Sequence, residues 1–355
     1  MKSAVLFFIA GVLLLMFSSC KEKSVDVETA EETPVEEVEP GSRNYTWDVT
    51  ELECKTGATV SLFEIWGSSA YDIWAVGNAS SPTYSVYHFD GSNWEYGIKP
   101  DGDGFSSIWG SSSDNIWIGS AGGLLYKYNG SEWSLYTQLK LPEYDEYCVQ
   151  HLWGASADEI YAAGAKINGD DPTEETGIFK YDGSTWSRIT MPKVYKNCYK
   201  SYKDANGDLL FICMDFGNGN TTLYSWTGTE LKTLFFSSNS RLDVCRIGEK
   251  IIIVYSNKIY DYNGGDIKLL NDFSSVTGTL SIACGRSEKD IFLILLDDSS
   301  VNSVYHYNGT DAVEAYKLNL GEYPMMGCIF EKDVYILICD YYTGKTKILH
   351  GKLNE

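Results

Sequence analysis

Four histidines, two knots of acidic residues and nine cysteines are the side chains in this 355-residue sequence that could do chemistry. His88, His306 and His350 each stand just before the aromatic or glycine of a recurring turn phrase, where other copies carry Lys127, Lys180 or Ser225. A position interchangeable among His, Lys and Ser reads as strand surface rather than as an active centre. That leaves His151, two residues before Trp153, and a lone imidazole does not make a zinc site. Asp101-Gly102-Asp103-Gly104 and the run Asn168, Asp170, Asp171, Glu174, Glu175 offer hard oxygen ligands of the kind Ca²⁺ takes. Neither fits an EF-hand loop, and a solvated acidic loop is the simpler description. No cofactor is expected; Ca²⁺ is the one ion for which the sequence leaves room.

No Cys-x-x-Cys occurs, so metal-binding or redox spacing is absent. Cys148, Cys245, Cys284 and Cys328 fall where inner strands are expected, as small buried thiols. Cys198 and Cys213 are symmetric about the turn Asp204–Gly207 and should face each other across a hairpin. They are the candidate disulfide, although a slip of one residue would separate them.

These residues sit on a repeat. IWGSSAYDIWAVG starts at Ile65, IWGSSSDNIWIGS at Ile108 and LWGASADEIYAAG at Leu152, so Trp66, Trp109 and Trp153 are 43 and 44 residues apart. Each phrase is followed by a second: YHFDGSNW ending at Trp94, YKYNGSEW at Trp133 and FKYDGSTW at Trp186. A period of this length with four strand-like runs predicts a β-propeller blade. The Asp-Gly and Asn-Gly pairs are hairpin turns, and the repeated tryptophans are apolar wedges between blades.

Later copies are degenerate but keep the frame, with Tyr202, Cys245, Cys284 and Cys328 in the Trp place. The seventh copy runs out after Gly351, and its missing outer phrase stands at the other end: GSRNYTWDV at 41–49 matches YNGSEWSLY at 128–136, with Trp47 for Trp133. The expectation is an all-β fold, a single seven-bladed propeller of four-stranded antiparallel blades over 44–355. Its ring is closed by an N-terminal outer strand pairing with the last blade, which leaves no open edge.

The first residues read as an address. Lys2 precedes an apolar run from Ala4 to Phe17 and then Ser18-Ser19-Cys20, the layout of a secretory signal over 1–19. A cysteine directly after small residues resembles the bacterial lipobox, which implies removal of the signal and acylation of Cys20. Several acyl chains would anchor the chain stably, at about 0.8 kcal/mol per buried CH₂. Residues 20–43 carry eight acids and no aromatics, a composition that cannot offset its ordering entropy and reads as a tether. Of the formal charge of −21, about −17 falls on the propeller, a field that repels nucleic acid and anionic lipid.

The WGSS…DIWAVG…YHFDGSNW pattern resembles the propeller repeats of bacterial secreted and surface lipoproteins, distantly related in shape to galactose-oxidase-type and sialidase-type propellers. The resemblance implies a bacterial cell-envelope location, as an outer-membrane lipoprotein. YDGSTW is similar to the Asp-box turn of sialidase-like propellers but is a residue short. A three-arginine carboxylate clamp would need Arg241, Arg246 and Arg286 together, so a sialidase is not expected.

Function should lie in the loops. The short turns (GSSxxD, DGS, NGS) share one face; the variable loops 77–84, 98–105, 138–147, 164–177, 190–197, 318–325 and 340–346 share the other. Recognition usually resides in variable loops on a rigid scaffold. The candidate ligand-binding residues are Tyr84, Asp101 and Asp103, Tyr144, Asp145 and Glu146, Asp170 and Asp171, Tyr195, Tyr323, Tyr341 and Tyr342. Aromatic faces beside carboxylates suit a neutral glycan or a basic protein partner. The expected role is a membrane-anchored, non-catalytic binding or scaffold propeller. The alternatives are a glycan-active hydrolase or lyase, which needs a carboxylate pair at the loop face, and a structural envelope component.

Overall fold

Four hairpins are closed by the same local device. Gly91, Gly130, Gly183 and Gly309 hold φ near +91°, where a side chain would be strained. The preceding Asp90, Asn129, Asp182 and Asn308 each accept backbone N–H bonds from the residues two and three further on. In the computed structural model the described residues are 41–54, 58–81, 84–97, 100, 104–141, 147–166, 175–215, 217–238, 242–297 and 301–354. Their 28 strands form seven four-stranded antiparallel sheets.

Each sheet is a blade whose strands a to d run outward. The a strands are Val60–Ser69, Phe105–Ser112, Tyr147–Ser156, Asn197–Lys203, Leu242–Ile247, Thr279–Ser287 and Glu322–Ile329. They neighbour one another in that order, and the seventh returns to the first. The outer strand of blade seven is Tyr45–Glu51, antiparallel to Lys345–Leu353 with Tyr45 opposite Leu353 and Glu51 opposite Lys347. The ring therefore closes as the repeat arithmetic requires. Trp47 also takes the role of its counterparts. Trp133 meets Trp74 of the preceding blade edge-on at 5.6 Å, Trp186 meets Trp117 at 5.7 Å, and Trp47 meets Phe292 at 5.9 Å.

The Trp-Gly pair recurs because each glycine seats the previous blade's tryptophan. A Cβ on Gly110 would lie 2.6 Å from the Trp66 ring, and one on Gly154 would lie 2.5 Å from that of Trp109.

The recurring histidines are not strand surface. His88 donates from Nε2 to Asp72 at 2.7 Å, His306 to Asp290 at 2.8 Å and His350 to Asp333 at 2.7 Å. Their rings stack on the strand-b aromatics Trp74, Phe292 and Tyr335 at 4.0, 4.6 and 4.2 Å. In blade three Lys180 does the same with Glu159 at 2.9 Å and Tyr161. Burial works to raise the Asp72 and Asp290 carboxyls, and it is outweighed by the histidine together with Ser68 and Trp74 at Asp72 and with Arg286 at Asp290, so both sit below the usual range. The position tolerates His or Lys because it needs a flat or long donor that covers the ring and reaches the carboxylate. It is a structural clasp inside blades one, three, six and seven.

Cys198 and Cys213 lie opposite each other, as the turn symmetry required. Both are buried free thiols, so the candidate disulfide is not formed in this structure. Cys198 Sγ is directed to the Lys200 carbonyl at 3.6 Å and Cys213 Sγ lies 3.7 Å from Thr176 Oγ1. Burial pushes the Cys198 thiol well above its ordinary range.

Candidate functional site

Every a strand starts on the loop face and ends at a short a–b turn, so the chain direction gives the central channel two distinct mouths. One level of the channel, two residues before the Trp place in blades one to five, holds Glu64, Ser107, His151, Lys200 and Asp243. Register confirms the equivalence: these residues lie opposite Val76, Gly119, Ala163, Ile212 and Val254, each two beyond the strand-b residue that faces the Trp place. Ser281 of blade six lies opposite the matching Ile294, and Met326 falls at this level in blade seven. One inner position of an otherwise apolar strand is thus polar or charged in six blades.

The side chains of this collar stitch the blades together. Ser107 Oγ accepts the Leu152 N–H at 2.8 Å, His151 Nδ1 accepts the Ser201 N–H at 3.2 Å, and Asp243 Oδ2 accepts the Ile282 N–H at 3.1 Å. Each bond runs from one blade to the residue just after the collar position of the next. Lysine cannot accept, so blade four differs. Lys200 Nζ donates to Asp243 Oδ1 at 2.7 Å, and Asp243 itself accepts the Val244 N–H at 2.9 Å. His151 must be neutral with its proton on Nε2. Burial, then the neighbouring Lys200 charge, pushes its pKa down to about 3.

Glu64 is different. Burial raises its carboxyl to about 7, against the lowering pull of Lys200. A carboxyl raised in the folded state holds a proton that the unfolded chain has released. Its effect is to subtract stability as pH climbs from the ordinary glutamate range toward 7.

Above the collar, on the loop-face side, lies a cavity of about 680 Å³. Lys200, Asp243, Ser281 and Met326 of the collar line it, with Gln150, Asn197, Tyr199 and Thr221 on its polar side and Met214, Leu242, Pro324 and Met325 on its apolar side. Gln150 and Tyr199 are bulge residues, lying at register shifts of their strands; bulges commonly re-aim a side chain at a functional site.

The expected site residues divide. Asp101, Asp103, Tyr144, Asp145, Glu146, Asp170 and Asp171, and the lipidation candidate Cys20, lie outside the described residues. Tyr84 is 5 % exposed and packs on Tyr96 at 4.8 Å. It is a core residue and not part of a ligand surface, because its ring packs in the apolar cluster with Leu52, Val60 and Tyr87. Tyr195, Tyr341 and Tyr342 are exposed at 55, 70 and 74 %. Tyr323 meets Tyr341 edge-on at 4.6 Å. Tyr342 covers Gly321, where a Cβ would lie 2.2 Å from the ring and φ is +85°. Tyr323 directly precedes Pro324, which lines the cavity.

Glu175 of the acidic insertion is buried and held by Arg188 at 2.6 Å and Lys193 at 2.9 Å, a structural anchor rather than a Ca²⁺ ligand. Arg246 is engaged by the Lys203 carbonyl and Glu249, and Arg286 by Phe330, Tyr45 and Asp290. Neither is available to a carboxylate clamp. The sequence reading missed Glu64, Lys200 and Asp243. The signal was present as a polar residue two before the Trp place in blades one to five, but it spells a different residue in each of them.

The fold is similar to that of a catalytically inactive virginiamycin B lyase from Staphylococcus aureus with quinupristin, at TM-score 0.59 and 13 % identity over 86 % of this chain and 99 % of that one. It is also similar to YCF48 bound to D1 peptide, at TM-score 0.57 and 12 % identity over 87 and 97 %. A puromycin hydrolase matches over 79 % of this chain and 52 % of its own, at TM-score 0.55 and 8 % identity. No family model and no curated protein matches the chain. At these identities the likeness is one of architecture, and that architecture serves binding proteins and enzymes alike.

Proposed function

We propose that this chain is a membrane-anchored, non-catalytic binding or scaffold propeller that presents its loop face to a glycan or protein partner. The observation that carries the reading is the cavity at the loop-face mouth of the channel, to which blade seven contributes Pro324, Met325 and Met326, together with the exposed Tyr341 and Tyr342 of the same blade. A rigid ring with one concave, partly apolar mouth is a general form for a binding site. The glycan-cleaving alternative needs two carboxyls free to act. Of the two in the collar, Asp243 has both oxygens engaged by Lys200, Val244 and Ile282.

Two experiments test the reading. A glycan array and crosslinked capture from the cell envelope, run with the full chain, should lose their signal in Tyr341→Ser/Tyr342→Ser and keep it in His88→Gln. A ligand footprint on the a–b turns would refute the face assignment. For the anchor, Cys20→Ser should leave the detergent phase or accumulate with its signal uncleaved; identical fractionation of variant and wild type would remove the lipid from the proposal.

A further inference from the structure

The cavity above the collar is matched in charge and unmatched in hydrogen bonds. The ionised side chains that line it are Lys200 and Asp243, and they answer each other at 2.7 Å. Both Asp243 oxygens are engaged further, by the Val244 and Ile282 N–H groups. A charged ligand would shed its hydration here and find its counter-charge already taken, which is costly in a confined site.

The neutral polar side chains are in the opposite state. Asn197, Thr221 and Ser281 come from three different strands, line the cavity and are 5, 2 and 2 % exposed. Among the described residues none hydrogen-bonds these three side chains, and Asn197 Oδ1 is a buried acceptor without a partner. A buried polar group costs stability unless it is matched, so three around one cavity mark it as a site whose partner comes from outside the chain. Met214, Leu242, Met325 and Met326 give the same cavity an adaptable apolar wall. About 680 Å³ is the size of a small-molecule pocket.

We propose that the channel mouth binds an uncharged, peptide-like amide, its apolar side chain against the methionine wall and its amide groups hydrogen-bonded to Asn197, Thr221 and Ser281. This deepens the binding reading given above and rests on it. An amide carries a donor and an acceptor side by side, so it can answer the Asn197 amide with both, and the two hydroxyls donate or accept as the ligand requires. A sugar ring carries hydroxyls on all its edges and would set some of them against the apolar wall.

The test titrates the full chain with N-acetyl-L-phenylalaninamide, N-acetyl-L-phenylalanine, L-phenylalaninamide and phenyl β-D-glucoside, followed by ligand-observed NMR. At about pH 6 the second is an anion and the third a cation, while the apolar body of the first three is the same. The neutral diamide should bind about fivefold more tightly than any of the others. Thr221→Val/Ser281→Ala should weaken the diamide by a similar factor, about fivefold, and should melt no lower than the wild type, because it removes polar groups that have no partner in the fold. Tightest binding of the anion would mean that Lys200 reads the ligand, and of the cation that Asp243 does; tightest binding of the glucoside would make the ligand a sugar. Each of these overturns the amide and keeps a binding propeller. A double variant that binds the diamide as the wild type does, or that melts lower, would mean that the hydroxyls serve the fold and not the ligand, and overturns their role. Binding of none of the probes overturns the site, and the loop-face capture then decides the wider reading by itself.

Discussion

Deleting residues 44–52 should unfold the whole propeller, whereas deleting 22–40 should leave its thermal transition unchanged. The closing strand contributes a seven-residue ladder to Lys345–Leu353 and two aromatics to the blade six–seven interface. Tyr45 meets Phe292 edge-on at 5.4 Å and its hydroxyl accepts from Arg286 at 2.7 Å; Trp47 packs on Phe292 and Tyr316. Losing a fully buried Trp costs about 3–5 kcal/mol, and the partly buried Trp47 should account for about 2–3 of that. The deletion also removes Tyr45 and uncovers an edge strand whose neighbours are apolar. Together these reach the total stability of an ordinary domain, roughly 5–15 kcal/mol. Trp47→Ala supplies the graded version, a loss of about 2–3 kcal/mol in urea titration, below that of a fully buried Trp. A deletion protein that melts like the wild type by circular dichroism would show that the ring does not depend on this strand.

The repeat made the architecture legible because it is written in residues that have few substitutes. Only glycine fits under Trp66 or Trp109, and Asp-Gly or Asn-Gly fits the tight c–d turns. The leftover outer phrase around Trp47 then fixed both the blade count and the closure. The same logic failed at the histidines. Sequence showed that His88, Lys180 and Ser225 share a position, but not that the histidine or lysine there lies over an aromatic ring and reaches a carboxylate at the start of the preceding strand. Tyr84 failed for a related reason: its place beside a loop was legible, and the burial of its ring against Tyr96 was not.

The collar was illegible because its members serve one layer of the ring through different chemistry. Ser107 and His151 accept a backbone N–H from the next blade, and Asp243 does so while also answering the Lys200 that cannot. A pattern defined by what the side chain accepts, rather than by its identity, leaves only polarity in the sequence. That polarity is diluted among the alternating residues of each strand.

Replacing Lys200 with methionine should then be the most costly single change in the channel. Its ammonium is 10 % exposed and bonds Asp243, itself 8 % exposed. Removing one member of a buried pair typically costs about 3–5 kcal/mol, since the other charge is left behind. Asp243 would keep its two N–H bonds but would share the channel with Glu64 and no cation. The pH dependence has a definite sign. Lys200 has a raised pKa in the folded chain, so its contribution is complete below the ordinary lysine value and is lost only above the raised one. Across pH 5 to 8 that part of the loss is flat. Glu64 supplies the slope: its raised carboxyl already subtracts stability as pH rises toward 7, and without the Lys200 charge it should be raised further. Lys200→Met should therefore be more destabilised at pH 8 than at pH 5. Lys200→Met/Asp243→Asn should recover most of the loss, because the amide oxygen can still accept a backbone N–H and no unpaired charge from the pair remains. Urea denaturation of both variants at the two pH values checks this. A single variant as stable as the wild type, or a double variant as unstable as the single, would mean that the pair does not hold the collar together.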